Sequence, residues 1–224
     1  MAERDPKDGY ANLLASDVKE WELVFLANTA LACDRYIPGS ILKVELTNFV
    51  TYDSVSFTPG PHLNMIIGPN GTGKSTISCA ICLGLGWPPA LLGRATKISA
   101  FVKHGAEHGS ITITMKNKAG MEPLIIRRTI HSANDGSQWS LNGKQTTLTA
   151  IQDQVEKLNV QVSNLCTFLP QDRVCEFAAM TPQQLLVETQ RCAGNENLPE
   201  WHEQLIEDAK KEKTLREVRP VFCK

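Results

Sequence analysis

From Ser40 the chain has the alternation of a β-strand. Apolar Ile41, Val44, Leu46 and Phe49 are followed by Val55 and Phe57, before a turn at Pro59-Gly60-Pro61. Leu63 to Ile67 is a short, mostly apolar run, the pattern of a strand buried on both faces. Ile77 to Leu85 is apolar with few breakers and ends at Gly86 and Pro88-Pro89, which predicts a helix packed on a sheet. Ile111, Ile113 and Met115 alternate with threonines as a half-exposed strand. Leu124 to Ile130 and Trp139 to Leu141 give two more, and Asn142-Gly143 favours a type I′ hairpin turn. Thr147 to Leu158 reads as a helix. Thr181-Pro182-Gln183-Gln184 spells a capping box with proline in the first turn, so a second helix is expected through about Cys192. Beyond Leu198 the composition shifts to Glu, Lys, Asp and Gln, with Trp201, Leu205 and Ala209 as the regular apolar positions. That pattern suits a solvated helix or the opening of a coiled coil. Residues 1–36 carry no period of either kind and read as an N-terminal extension.

The 224 residues, 42% of them hydrophobic, suffice for one ordinary core with peripheral segments. With 23 Lys plus Arg against 24 Asp plus Glu, no bulk charge drives the chain onto nucleic acid or an anionic membrane. Any DNA contact must be local, and Arg94, Lys97, Lys103, Lys116, Lys118, Arg127 and Arg128 are its expected residues. Seven cysteines without regular spacing read as reduced intracellular thiols. Cys79 and Cys82 form a lone CxxC inside the helix after the glycine-rich segment, which suits buried thiols better than a zinc or redox site. The apolar run Val24 to Cys33 follows an acidic stretch rather than a basic one and is too short to span a bilayer, so neither a secretory leader nor a membrane partner is expected.

Gly68-Pro69-Asn70-Gly71-Thr72-Gly73-Lys74-Ser75 fits GxxxxGK[ST] in full, after a predicted strand and before a predicted helix. Glycines in such a loop free the backbone to turn successive N–H groups toward phosphate, and the helix N-terminus adds partial positive charge. Gly68, Pro69, Asn70, Gly71, Thr72, Gly73, Lys74, Ser75 and Thr76 are therefore the expected ATP-binding residues. Lys74 is expected to reach the β- and γ-phosphates, and the Ser75 hydroxyl to ligate Mg2+. Hydrolysis also needs an apolar strand ending in an acidic residue. The nearest stretch, Thr167 to Asp172, has Pro170 where a central strand needs an N–H. A signature motif of the ABC type is absent too.

The segments Gly39-Ser40-Ile41, Leu46 to Asp53, the phosphate loop, Leu92-Gly93-Arg94-Ala95 and Phe101-Val102-Lys103-His104-Gly105 together resemble the N-terminal head segment of structural maintenance of chromosomes (SMC) proteins. Asn142-Gly143-Lys144 and Phe168 to Val174 extend the resemblance, which runs from about Pro38 to about Lys213. Heads of that family are ABC-type ATPases split by a coiled-coil arm, so the resemblance implies that the missing motifs belong to a C-terminal head half. It also implies that Gln171 is the Q-loop glutamine, contacting Mg2+ and the attacking water, and that Arg94 is the arginine of a loop reaching phosphate or DNA. The implied partners are the C-terminal head half, the sixth family member as heterodimer partner, non-SMC subunits and DNA. The implied setting is the nucleus and the chromosome, in double-strand break repair by homologous recombination and in sister chromatid cohesion. A full family member continues for many hundreds of residues, so the chain is expected to be a fragment, a truncated product or an imperfect gene model.

The expected fold is an α/β P-loop NTPase of the ABC half-head type with a mixed β-sheet, followed by the start of a coiled-coil helix. Its expected divisions are 1–36 as extension, 37–194 as half-head and 195–224 as the beginning of the arm. Two other readings stay open: a self-contained P-loop kinase or small NTPase, and a non-catalytic module that binds ATP only to hold its fold.

Overall fold

The computed structural model describes residues 24–27, 36–92, 95–193, 195 and 197–218. They fall into two compact units, divided between Val162 and Ser163. In the first unit the elements run β1 (Val24–Ala27), β2 (Ile41–Phe49), β3 (Tyr52–Phe57), β4 (Asn64–Ile67), α1 (Lys74–Gly84), β5 (His108–Met115), β6 (Leu124–His131), β7 (Ser137–Leu141), β8 (Lys144–Thr146) and α2 (Leu148–Glu156). Single 3-10 turns at Pro89–Leu92 and Ile98–Phe101 connect α1 to β5.

Six strands form a sheet in the order β3-β2-β5-β6-β7-β8, each pair antiparallel. The period-2 pattern decides which face is buried. Val44, Leu46 and Phe49 of β2, Ile111, Ile113 and Met115 of β5, and Leu124, Ile126 and Ile130 of β6 all lie in the core. Helix α1 packs on β5, β2 and β6 and buries Ile77, Ala80 and Leu83. Helix α2, capped by the Thr147 hydroxyl accepting from the Ala150 N–H, buries Ile151 and Val155. Each such fully buried branched side chain contributes about 1.5–3 kcal/mol relative to exposure, so this face holds the unit together. The β7–β8 turn has positive φ at both Asn142 (48°) and Gly143 (79°), the type I′ geometry that their sequence favours.

The strand that leads to the phosphate loop departs from its sequence pattern. Leu63 to Ile67 reads as a strand buried on both faces, yet Leu63, Met65 and Ile67 are 74%, 54% and 45% exposed. Among the described residues β4 pairs only with β1, antiparallel, with Val24 opposite Ile67. A doubly buried strand needs neighbours on both edges and layers on both faces, and the described residues supply one edge partner. β1 itself lies in the segment read as an aperiodic extension.

The second unit is helical. It contains a 3-10 turn at Gln171–Arg173, then α3 (Val174–Ala178), α4 (Pro182–Cys192) and α5 (Leu198–Val218). Buried Asn164 organises its start. Its side-chain amide donates to the Glu188 carbonyl of α4 at 3.0 Å, and its Oδ1 accepts from the Cys166 N–H at 2.9 Å. Helix α4 begins in the capping box read from the sequence. The Thr181 hydroxyl accepts from the Gln184 N–H at 3.3 Å, and the Gln184 side chain accepts from the Thr181 N–H at 2.8 Å. Helix α5 is charged and leaves Trp201, Leu205 and Leu215 exposed. Among the described residues no helix is long and apolar enough to cross a membrane.

Thr181→Ala removes the acceptor for the first turn of α4. It is expected to cost about 1 kcal/mol in urea unfolding, whereas Thr181→Ser stays near wild type. Equal stability of the alanine variant would show that the cap contributes nothing.

Candidate nucleotide-binding site

Strand β4 ends at Ile67, α1 begins at Lys74, and the glycine-rich segment joins them as a tight loop. Gly71 and Gly73 take φ of 89° and 95°, in the left-handed region where other residues are strained. The loop is internally bonded: the Thr72 hydroxyl donates to the Pro69 carbonyl at 2.8 Å, and the Thr76 N–H to the Gly73 carbonyl at 2.8 Å. Lys74 folds over it, its Nζ donating to the carbonyls of Gly68 and Pro69, each at 2.7 Å. Pro69, Asn70 and Gly71 are exposed, Ser75 is half-buried and Thr76 is buried. No acidic side chain stands in the first turn of α1, so the positive end of the helix dipole meets no resident carboxylate there. An exposed glycine-rich loop, a helix N-terminus without acidic side chains and a lysine at the rim fit a polyphosphate.

The turn between β2 and β3 presses on this loop. The Tyr52 hydroxyl donates to the Thr72 carbonyl at 3.3 Å. A Cβ on Gly73 would lie 2.7 Å from that hydroxyl oxygen and 2.8 Å from Thr51 Oγ1. Burial pushes the Tyr52 pKa up, so the phenol keeps the proton it donates. The turn itself is strained. Asn48 and Val50 have φ of 49° and 48°, and for a β-branched valine the left-handed region is an outlier. Neighbouring chain holds it there. The Val50 N–H donates to the Phe101 carbonyl (2.9 Å), the Lys103 N–H donates to the Asn48 carbonyl (2.8 Å), and the rings of Phe49 and Phe101 stack at 6.0 Å. Thr51 and Tyr52 were not among the site residues expected from the sequence. Their signal was the aromatic next to a turn, which has no chemistry until the loop is laid against it.

Of the other expected residues, Gln171 opens the 3-10 turn of the second unit and is exposed. Arg94 lies outside the described residues. The expected DNA-contacting set is corrected at one position. Lys97, Lys118 and Arg127 are exposed, Lys103 and Lys116 are half-buried, and Lys103 is paired with Asp53 at 2.6 Å, but Arg128 is buried. The physical reason is strand parity: Leu124, Ile126, Arg128 and Ile130 share the inward face of β6. That alternation was readable in the sequence and marked Arg128 as an inward residue. Cys79 and Cys82 are both buried in α1, and burial, the largest cause, pushes the Cys82 thiol up to about 12. It is a thiol at neutral pH.

The model of the AAA domain family matches residues 43–219. The chain belongs to this AAA domain family. Within it, the chain is similar over 182 residues to structural maintenance of chromosomes protein 5 of Arabidopsis thaliana, at 46% identity, covering 81% of this chain and 17% of that protein. The namesake from Schizosaccharomyces pombe is 48% identical over 80% of this chain and 16% of its own length. The chain thus spans about a sixth of the length of these curated relatives. A solved SMC ATPase, described for ATP-driven dimerization and DNA-stimulated activation, superposes with a TM-score of 0.59 at 26% identity. It covers 67% of this chain and 98% of that one. The Smc head domain with an extended coiled coil from Pyrococcus furiosus, bound to the C-terminal domain of ScpA, gives 0.54 at 25% identity, over 80% of this chain and 46% of that one. Sequence and fold are those of a P-loop, ABC-type SMC head in its N-terminal half.

In this AAA domain the contact at Gly73 has a direct consequence. Gly73→Ala forces a side chain into the space of the Tyr52 and Thr51 hydroxyls at a positive φ. ATP affinity, measured by titration calorimetry, is expected to fall by about tenfold or more, since strain of this kind costs on the order of 1–3 kcal/mol. Unchanged affinity would show that the β2–β3 turn gives way without disturbing the loop.

Proposed function

We propose that this chain is the ATP- and Mg2+-binding N-terminal half of an SMC-type ATPase head. The carrying observation is the phosphate loop between β4 and α1, with left-handed Gly71 and Gly73 and with Lys74 at its rim. In this reading the loop amides and the first turn of α1 hold the phosphates, and Lys74 exchanges its two carbonyl partners for β- and γ-phosphate oxygens. Ser75 and Gln171 are the magnesium ligands, and Arg94 reaches phosphate or DNA. The metal supplies neutralisation of charge on the polyphosphate. Everything the chain contributes is positioning and electrostatic stabilisation, which is most of what phosphoryl transfer requires of a protein.

The acidic residue and signature that complete such a site are assigned to a C-terminal head half. Among the described residues β4 has one pairing partner and exposed apolar side chains, which suits completion by further strands. The whole protein is proposed to pair with the sixth SMC family member and with non-SMC subunits. The ScpA-bound head of the Pyrococcus furiosus relative supports a partner of the latter kind. Action on chromosomal DNA in the nucleus, in recombinational double-strand break repair and sister chromatid cohesion, is part of the proposal; the similarity to relatives named for chromosome maintenance supports its chromosomal part. Lys97, Lys103, Lys116, Lys118 and Arg127, with Arg94, remain the proposed DNA contacts. Helix α5 is proposed as the start of the coiled-coil arm, with 37–194 as the half-head and 1–36 as the extension.

Calorimetry should register Mg-ATP binding to the purified chain, weakened by about 1.5–3 kcal/mol, or at least roughly tenfold, in Lys74→Ala. A phosphate-release assay should detect no appreciable turnover until a C-terminal head half and a partner head are supplied. Robust turnover by the chain alone, abolished in Lys74→Ala, would overturn the half-head reading in favour of a self-contained NTPase.

A further inference from the structure

Helix α1 presents its first turn to the phosphate loop, and its last turn carries no basic residue of its own. The sheet provides one. Arg128 of β6 is 8% exposed, and its Nη1 donates to the carbonyl of Leu83, in the last turn of α1, at 2.8 Å. That carbonyl also accepts from the Gly86 N–H at 3.3 Å as the chain leaves the helix. The guanidinium lies over the Trp139 ring, 4.5 Å from its centroid, and Nη2 donates to Ser137 Oγ at 3.2 Å. Its Nε is buried with no hydrogen-bond partner, and among the described residues no carboxylate bonds to the group. Burial lowers the Arg128 pKa to about 10, which still leaves a cation at neutral pH.

This is a costly arrangement if stability is its only yield. A buried charge with no bonded counter-ion and with an unsatisfied N–H is disfavoured even with Asp135 attracting it from a distance, and apolar residues of similar volume often replace buried ionic groups without loss. What the arginine supplies and an apolar residue would not is a cation at the carbonyl end of a particular helix, where it complements the macrodipole. That helix ends in phosphate-binding amides at its other pole, and Gly84 beside the anchor is packed so closely that a Cβ would lie 2.6 Å from Ile113 Cδ1.

We propose that Arg128 is a positioning residue for nucleotide binding: its guanidinium, bonded to the Leu83 carbonyl, anchors the far end of α1 and so fixes the direction in which the first turn of the helix meets the phosphates. The inference rests on the reading of the loop as an ATP site. It assigns Arg128 no contact with nucleotide, so its effect reaches the ligand only through α1.

The test uses the full chain and compares Arg128→Met, Arg128→Gln and Arg128→Lys with wild type and with Lys74→Ala. Melting temperature and Mg-ATP affinity are both measured. Arg128→Met is expected to melt near wild type while its Kd for Mg-ATP rises about fivefold to tenfold, the scale of a partly buried charge at a helix terminus. Arg128→Gln should lose affinity similarly. Arg128→Lys, which keeps the cation and a donor for the Leu83 carbonyl, should recover most of it. Wild-type affinity in the methionine and glutamine variants, with Lys74→Ala still defective, would overturn the anchoring role and leave the ATP site standing. Affinity that falls only in proportion to melting temperature, with no rescue by lysine, would make Arg128 a structural residue and also overturn it. Should Arg128→Met fail to fold, the glutamine and lysine variants decide: equal affinity in both refutes the proposal, and weaker binding by glutamine alone supports it. No Mg-ATP binding by wild type would instead remove the site reading on which the inference depends.

Discussion

Gly73 has no side chain, and the Tyr52 and Thr51 hydroxyls lie within 2.7 and 2.8 Å of where one would begin. The phosphate loop is therefore shaped from outside as well as by its own glycines. The β2–β3 turn that supplies those hydroxyls is itself held at an unfavourable valine conformation by the chain around Phe101 to Lys103. Strain at Val50 is tolerated because several bonds and the Phe49–Phe101 stack oppose its relaxation at once. From the antiparallel sheet through this turn to the loop and then along α1 to Arg128, the site is positioned by rigid elements at both ends of the helix.

The local features were legible in the sequence because they depend on neighbouring residues alone. The phosphate loop between strand and helix, the Asn142-Gly143 turn and the Thr181 capping box all formed as read. Features that depend on distant partners were not legible in the same way. Leu63 to Ile67 has the composition of a central strand, but composition does not say which chain segment flanks it, and the described residues leave Met65 and Ile67 half open to solvent. Arg128 was misread for a different reason. Its charge was weighed above its phase, although Leu124, Ile126 and Ile130 on either side of it gave the inward parity of the strand. Tyr52 became a site residue only when the fold brought the β2–β3 turn against Thr72, some twenty residues along the chain.

On the proposed half-head reading, the same dependence on partners accounts for a chain with a complete phosphate loop and no second acidic motif. An ABC-type head brings its parts together from segments far apart in sequence, and this chain spans about a sixth of its curated relatives. Its proposed contribution is the half that grips phosphate.

The central claim, that the loop from Gly68 to Ser75 is a working phosphate site, is tested most directly by amide hydrogen exchange on the purified chain with and without saturating Mg-ATP. Nucleotide on this loop slows exchange at the amides of Gly71 to Thr76 and leaves the edge strand β8 unchanged. No change at Gly71 to Thr76 under conditions where ATP is bound, or protection confined to another part of the chain, would contradict the account.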